Sequence, residues 1–382
     1  MTDLKTCSLD ELTDICKTNN IPYIGTKKKP YTATTLIKII KASRIKNNAI
    51  NDDIVTPVTS LSSINTTSNK LNMIDLFAGT GAFSLAFNST NAVNIVFSND
   101  MCMASKTIYD ENFDHKLTLK NLNEINVEDI PSHDILTGGF PCQPFSIAGH
   151  QEGFKDERSN VFWKILSIID YHQPKCVILE NVKNILSHDQ CNTFNTIKSN
   201  LENKGYHICF KVLNTSDITG IPQHRERIYI VCLKSKNVFD KFSLDFPKIE
   251  KKKTSSFFEN DVPSKYYYTD KSSTWTLVKS NVVKKDTIYQ YRRVYVRENK
   301  SSECPTLTAN MGSGGHNVPI ILDDKGVRKL TPRECFNFQG FPLSYKLPNL
   351  CDSNLYKLAG NAVSVPVVNL IAHRIIPLLL EE

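Results

Sequence analysis

No two of the eleven cysteines form a C-x-x-C pair, their number is odd, and their spacing does not repeat. These absences argue against a cysteine-based zinc site and a disulfide framework, so the thiols are read as reduced. The opening stretch MTDLKTCSLDELTD lacks the apolar centre of a signal peptide. No apolar run approaches the length of roughly 20 residues that spans a bilayer. Together they predict an intracellular protein with no membrane partner and no metal. What the chain does have is material for a core. With 382 residues and 40% hydrophobic content it suffices for one large domain or two ordinary ones, and general disorder is excluded.

Charge is unevenly placed. Residues 1–50 carry nine Lys and Arg against four Asp and Glu, and residues 251–300 carry twelve against five. These segments hold +5 and +7 of a net +7, so the remainder sums to −5. Such a distribution suits a polyanionic partner such as nucleic acid, and equally suits two solvated surfaces.

Along the chain, SLDELTDICKTNN sets Ser8 three residues before Glu11, a capping-box pattern, with Leu9, Leu12, Ile15 and Cys16 at helical spacing. TATTLIKIIKASRIK gives a second short helix bearing Lys38, Lys41 and Arg44, and YIGTKKKP lies between. Residues 1–45 thus resemble a small SAP-like DNA-binding unit; an arm packed on the main domain is the other reading. Residues 46–70, rich in Asn, Ser and Thr and without a period, read as a flexible linker. From residue 71 apolar strands (LNMIDLF, AVNIVFSND, DILTGGF, KCVILENV, RIYIVCL) alternate with helices such as VFWKILSIIDYH and TFNTIKSNLENKG. This predicts an α/β fold, a doubly wound and mostly parallel sheet covered on both faces, over 71–234. Residues 235–325 break the rhythm, being polar, basic and rich in tyrosine, and read as an inserted domain; residues 326–382 return to the first domain.

Four stretches carry candidate chemistry. In DLFAGTGAFSLAF a strand runs into Gly79-Thr80-Gly81 and a helix start, a nucleotide-binding corner. The third glycine of the dinucleotide fingerprint is absent, which favours S-adenosylmethionine over a nicotinamide cofactor. Asp100 ends the next strand, placed to accept from a ribose diol. In GGFPCQPFSIAG, Cys142 sits between Pro141 and Pro144 on a stiff turn at the carboxyl end of a strand, which makes it a candidate nucleophile; taken alone, a buried structural cysteine is the equal alternative. In ILENVKN, Glu180 ends an apolar strand, where a carboxylate needs a partner. In IPQHRERIYIV, Arg225 and Arg227 alternate before a strand and share a face.

In this order, with GNAV near the end of the chain, these motifs closely resemble those of the DNA cytosine-5 methyltransferases of the prokaryotic restriction–modification type, over about residues 71–380. The resemblance implies a Rossmann-like methyltransferase fold, with residues 235–325 as its target-recognition domain. It implies methyl transfer from S-adenosylmethionine to C5 of cytosine in a short sequence of duplex DNA, leaving S-adenosylhomocysteine. Cys142 would add to C6 of a base flipped out of the helix, Glu180 would contact N3 and the exocyclic amine, Arg227 would hold O2, and Arg225 would support the thiol and base pocket. The cofactor pocket would comprise Phe77, Ala78, Gly79, Thr80, Gly81, Asp100, Met101, Asn121, Leu122, Pro141, Asn361 and Ala362. Gln143, Ser146, Arg158, Thr306, Gly312, Gly314 and Gly315 would meet DNA. Three positions depart from the family pattern: Ala82 replaces a glycine, Asn121 an adenine-contacting Asp, and Met101 a stacking aromatic. The implied partners are double-stranded DNA and a separately encoded endonuclease, with the enzyme a monomer. The alternatives are a tRNA cytosine-5 methyltransferase, which shares Pro-Cys and Glu-Asn-Val, and a non-catalytic relative, which would have lost the cysteine or the glycines.

Overall fold

The computed structural model describes residues 70–141, 160–292, 294–313 and 317–382, together with Thr32. The chain divides into two units, Met1–Ser62 and Ser63–Glu382, and every element described belongs to the second. The helices expected within 1–45 and the linker through residue 69 lie outside the described residues.

The first half alternates as its apolar runs predict. Strand β1 (Leu71–Leu76) is followed by helix α1 (Ala82–Asn88), β2 (Val93–Asp100), α2 (Met103–Asn112), β3 (Thr118–Leu119), β4 (Ile135–Gly139), α3 (Asn160–His172), β5 (Cys176–Val182) and α4 (Asn192–Asn203). Then come β6 (His207–Asn214), α5 (Thr215–Thr219), β7 (Glu226–Leu233) and α6 (Lys236–Lys241). These strands form one sheet in the order β3-β2-β1-β4-β5-β7-β6. Neighbours from β3 to β5 are parallel, whereas β7 runs antiparallel to both β5 and β6. Alternate residues of each central strand enter opposite cores. In β7, Tyr229, Val231 and Leu233 face one core, and Ile228, Ile230 and Cys232 the other. A strand buried on both faces therefore reads as an unbroken apolar run. Helices α3 and α4 cover one face through Phe162, Ile165, Ile169 and Ile197. On the other face lie α1, through Phe83 and Phe87, and α10 (Val365–Leu380), through Val368, Ile371 and Ile375.

Helix α7 (Trp275–Asn281) and strands β8 (Tyr289–Arg292), β9 (Tyr295–Glu298), β10 (Ile320–Leu322) and β11 (Val327–Lys329) build a smaller sheet-and-helix layer apart from the main sheet. Its antiparallel sheet, in the order β11-β10-β8-β9, packs on its own small core of Val278, Val282, Tyr289, Ile320 and Val327. The sheet extends past residue 325 because β11 closes it. Helix α8 (Pro332–Phe338) opens with Thr331 and Glu334 in a capping box. Glu334 also takes the buried Arg328 guanidinium of β11 at 2.7 and 2.8 Å, which rivets the second sheet to the helix. Helix α9 (Asp352–Asn361) precedes α10. By length and composition the stretch Asp352–Leu380 could cross a membrane, which the reading of apolar runs passed over. It breaks at Ala362–Ser364, and half of its most apolar window is buried in the protein.

Candidate active site

The order of the sheet reverses between β1 and β4, since β2 and β3 lie to one side and β5 to the other. Such a switch point, at the carboxyl ends of the strands, is where an open α/β sheet forms its crevice. A cavity of about 440 Å³ occupies this place.

Its near wall is the β1–α1 loop. Phe77 and Gly79 both have φ of +54°, and Gly79 donates its N–H to Asp100 Oδ2 at 3.0 Å. Asp100 Oδ1 accepts from Cys102 N–H at 2.8 Å, so one carboxylate at the end of β2 holds the glycine loop and the start of α2 together. Burial raises the Asp100 carboxyl above its ordinary value, and these N–H donors pull the other way. A Cβ at Gly79 would have no atom closer than 3.7 Å, so that flank stays open for a ligand. Gly81 does not line the cavity. Its φ is +70°, and a Cβ there would run into the rings of Phe113 and Tyr109. The two glycines therefore have different tasks, one facing the cavity and one admitting a ring from behind. Phe77, Ala78, Thr80, Asp100 and Pro141 also line the cavity, and Thr80 Oγ1 is buried without a partner among the described residues.

The floor is the edge of β4 and β5. Gly139 pairs with Glu180 across the two strands. Asn181 Nδ2 donates to the Phe140 carbonyl at 3.0 Å, and its Oδ1 accepts from Val182 N–H at 2.8 Å. The middle residue of Glu-Asn-Val thus fixes the backbone that leads into Pro141; the motif was visible in the sequence, but this task was not. Glu180 is buried, and burial raises its carboxyl above the ordinary range, opposed first by Arg227 and then by Arg225. Arg227 Nε lies 3.1 Å from Glu180 Oε1. That oxygen nevertheless counts no hydrogen bond, so the pair is joined by charge, off the direction of a hydrogen bond. The antiparallel pairing of β5 and β7 sets Val182 opposite Arg227 and brings both arginines to this edge.

The far wall is the end of α9. Asn361, Ala362 and Val363 line it, and so do Asn354, Lys357 and Leu358, which sequence reasoning missed. Their spacings of three (Leu358), four (Lys357) and seven (Asn354) from Asn361 put them on one helix face, a signal that was available once a helix was assigned there. Arg225 lines the cavity from behind, only 2% exposed.

The remaining expected cofactor residues lie apart from the cavity. Met101 is 73% exposed. Asn121 caps a short turn through Asn123 N–H, and Leu122 is buried in the core under α3. Among the expected DNA contacts, Thr306 donates to the His224 carbonyl at 2.6 Å and lines a polar groove with Gln290, Arg292, Arg297, Lys300 and Asn310. Gly312 is packed against the Ser353 carbonyl and Lys357 of α9. Cys142, Gln143, Ser146, Arg158, Gly314 and Gly315 lie outside the described residues.

A doubly wound sheet with a ligand-sized cavity at its switch point and an inserted β-domain is the architecture of a Rossmann-like methyltransferase. The chain belongs to the C-5 cytosine-specific DNA methylase family, which it matches over residues 71–377. It is 45% identical over 309 residues to the Type II methyltransferase M.Bsp6I of Bacillus sp. (strain RFL6), covering 80% of this chain and 98% of that one. To M.HhaI of Haemophilus parahaemolyticus it is 36% identical over 322 residues, covering 80% and 94%. Among solved structures it resembles the S. pombe Dnmt2 methyltransferase, with a TM-score of 0.64 and 22% identity over 81% of this chain and 99% of that one. The Entamoeba histolytica methyltransferase EhMeth is as similar, with a TM-score of 0.64 and 21% identity over 81% and 100%. At such identities the structural likeness speaks for the fold.

Proposed function

We propose that this enzyme methylates C5 of a cytosine flipped out of duplex DNA, with Cys142 as nucleophile. The observation that carries the reading is the meeting of three groups at one edge of the sheet. These are the open flank of Gly79, the Glu180–Arg227 pair, and the Asn181-held backbone that leads to Pro141.

Gly79, Thr80, Asp100 and the α9 wall fit S-adenosylmethionine, since they offer backbone without a side chain, an unpartnered hydroxyl and a carboxylate at a strand end. When bound, this molecule supplies the methyl group. The Cys142 thiolate forms a bond to C6 of the ring and so makes C5 nucleophilic. Glu180, whose carboxyl burial raises above the ordinary range, donates in its protonated form to N3 while Arg227 holds O2, and both stabilise charge that develops on the ring. C5 takes the methyl group and S-adenosylhomocysteine is left. A base then removes the C5 proton, its electron pair re-forms the C5–C6 double bond as the Cys142–C6 bond breaks to release the thiolate, and N3 returns its proton to Glu180. The polar groove of Arg292, Arg297 and Lys300 takes the duplex, in line with the net +7 of residues 251–300. Residues 235–325 act as the target-recognition domain, the enzyme works as an intracellular monomer, and a separately encoded endonuclease shares its site.

Bisulfite sequencing of DNA from cells expressing the protein tests this, alongside methylation of duplex DNA and tRNA in vitro. We expect one short motif converted to 5-methylcytosine in duplex DNA. Transfer to tRNA alone overturns the assignment of substrate.

A further inference from the structure

Three chain segments far apart in sequence meet behind the cavity. The approach to β7 is zipped to a segment of the insert: Cys304 N–H donates to the Pro222 carbonyl at 2.6 Å, and His224 N–H to the Cys304 carbonyl at 2.8 Å. Thr306 Oγ1 then donates to the His224 carbonyl at 2.6 Å. The same insert segment crosses α9 at Gly360, where any Cβ would overlap the backbone of Thr308 and Ala309. Arg225 stands at the junction. Its NH1 donates to the Leu307 carbonyl at 2.9 Å and its NH2 to the Ala362 carbonyl at 2.7 Å, and both reach the Gly360 carbonyl at 3.4 Å. Only Nε lacks a partner among the described residues. A guanidinium carries five donors in a rigid fork, and four are directed at main-chain oxygens of two different segments. By contrast Arg227 faces Glu180 at the cavity edge.

We infer that Arg225 is a positioning residue outside the reacting set, clamping the 304–309 segment of the insert to the carboxyl end of α9 and so fixing the polar groove relative to the cavity. The inference rests on the reading of the groove as the DNA-facing surface. The groove and the cavity are built from segments far apart in sequence, so their alignment depends on such joints. A lysine at position 225 offers a single ammonium on a flexible stem and cannot hold Leu307, Gly360 and Ala362 in one plane.

The test compares Arg225→Lys, Gly360→Ala and Thr306→Val with wild type. Gly360→Ala disturbs the joint with Arg225 intact, and Thr306→Val removes a single hydroxyl bond, so its folding is the least at risk. All three should raise KM for duplex DNA, by about tenfold for the first two and about threefold for Thr306→Val, with kcat kept within about threefold. Amide exchange at Cys304 and His224 should quicken in each, a readout independent of turnover. A kcat loss of a hundredfold or more confined to Arg225→Lys, with Gly360→Ala unchanged in KM, would mean that Arg225 touches the base and would overturn the inference. Should the first two variants fail to fold, an unchanged KM and unchanged exchange in Thr306→Val overturns it as well. Wild-type protein that methylates no duplex DNA sinks the reading of the groove instead, and the exchange measurements still decide whether the clamp exists.

Discussion

The two walls of the cavity are built in different ways. The near wall is local: β1, its glycine turn, α1 and the end of β2 come from 30 consecutive residues, Leu71–Asp100, and Asp100 ties the turn to the end of β2 through the Gly79 N–H. The far wall is assembled from a distance, by a strand inserted antiparallel, the returning helix α9, and an arginine that bridges residues 82 and 137 positions away. A local wall can be altered in place, with effects on one ligand. An assembled wall transmits a change to whatever else its segments touch.

The largest effects should come from the groups proposed to react. Cys142→Ala should leave activity below about one ten-thousandth of wild type. The wild-type enzyme should also be trapped covalently on DNA carrying 5-fluorocytosine at the target, because the C5 proton is then missing. Persistent turnover in the Ala variant removes Cys142 from the reaction. Glu180→Gln should lower kcat by about 10²–10³-fold, since charge on the ring loses its acid. In the proposed mechanism the protonated form of Glu180 is the active one, so wild-type activity should decline as pH rises past its elevated pKa; the Gln variant should lack that decline.

Changes confined to the near wall separate its two glycines. Gly81→Ala should cost about 2–4 kcal/mol in urea unfolding, combining a left-handed backbone with a collision against Phe113 and Tyr109. Gly79→Ala should cost only about 1–2 kcal/mol, for the backbone alone, yet weaken S-adenosylmethionine binding measured by calorimetry. Equal losses of stability from both would erase the distinction. Asp75 offers a pH test of the same wall. It is buried between Ser84 and Thr137, and burial pushes its carboxyl up from 3.8 to about 7. The folded state therefore holds this proton more tightly than the unfolded chain. The stability it lends is complete below about 4 and is lost as pH rises through 7. Melting curves should show wild type losing stability relative to Asp75→Asn between those limits; a parallel pH dependence in the two proteins would refute the shift. The smallest effect should come from outside both walls. Deleting residues 1–65, whose first 50 carry +5, should leave the methylated sequence unchanged and flatten the dependence of log DNA affinity on log salt. A lower melting temperature with an unchanged slope would indicate a packed arm instead of a tether.

Much of this protein follows from the order of its residues. Apolar runs of strand length with helical stretches between them specify the doubly wound sheet, because a strand buried on both faces has no polar alternation to lose. The glycine turn after β1, Asp100 closing β2 and Glu180 near the end of β5 are legible because each stands at or beside the carboxyl end of its own apolar run. Strand β6 escaped notice because its sequence, HICFKVLN, mixes exposed and half-buried positions at the edge of the sheet. The direction of β7 is not written locally, since an apolar run looks the same whichever way it enters a sheet. Had β7 run parallel to β5, Arg227 would lie at the opposite edge, roughly 23 Å along an eight-residue strand from where it meets Glu180. The separate tasks of Gly79 and Gly81 are likewise invisible in G-x-G, because only the packing of Phe113 behind the loop tells them apart. The sequence by itself thus determined which groups stand at the ends of strands. Tertiary structure alone decided which of those ends face one another, because burial and strand pairing act between segments that the chain keeps far apart.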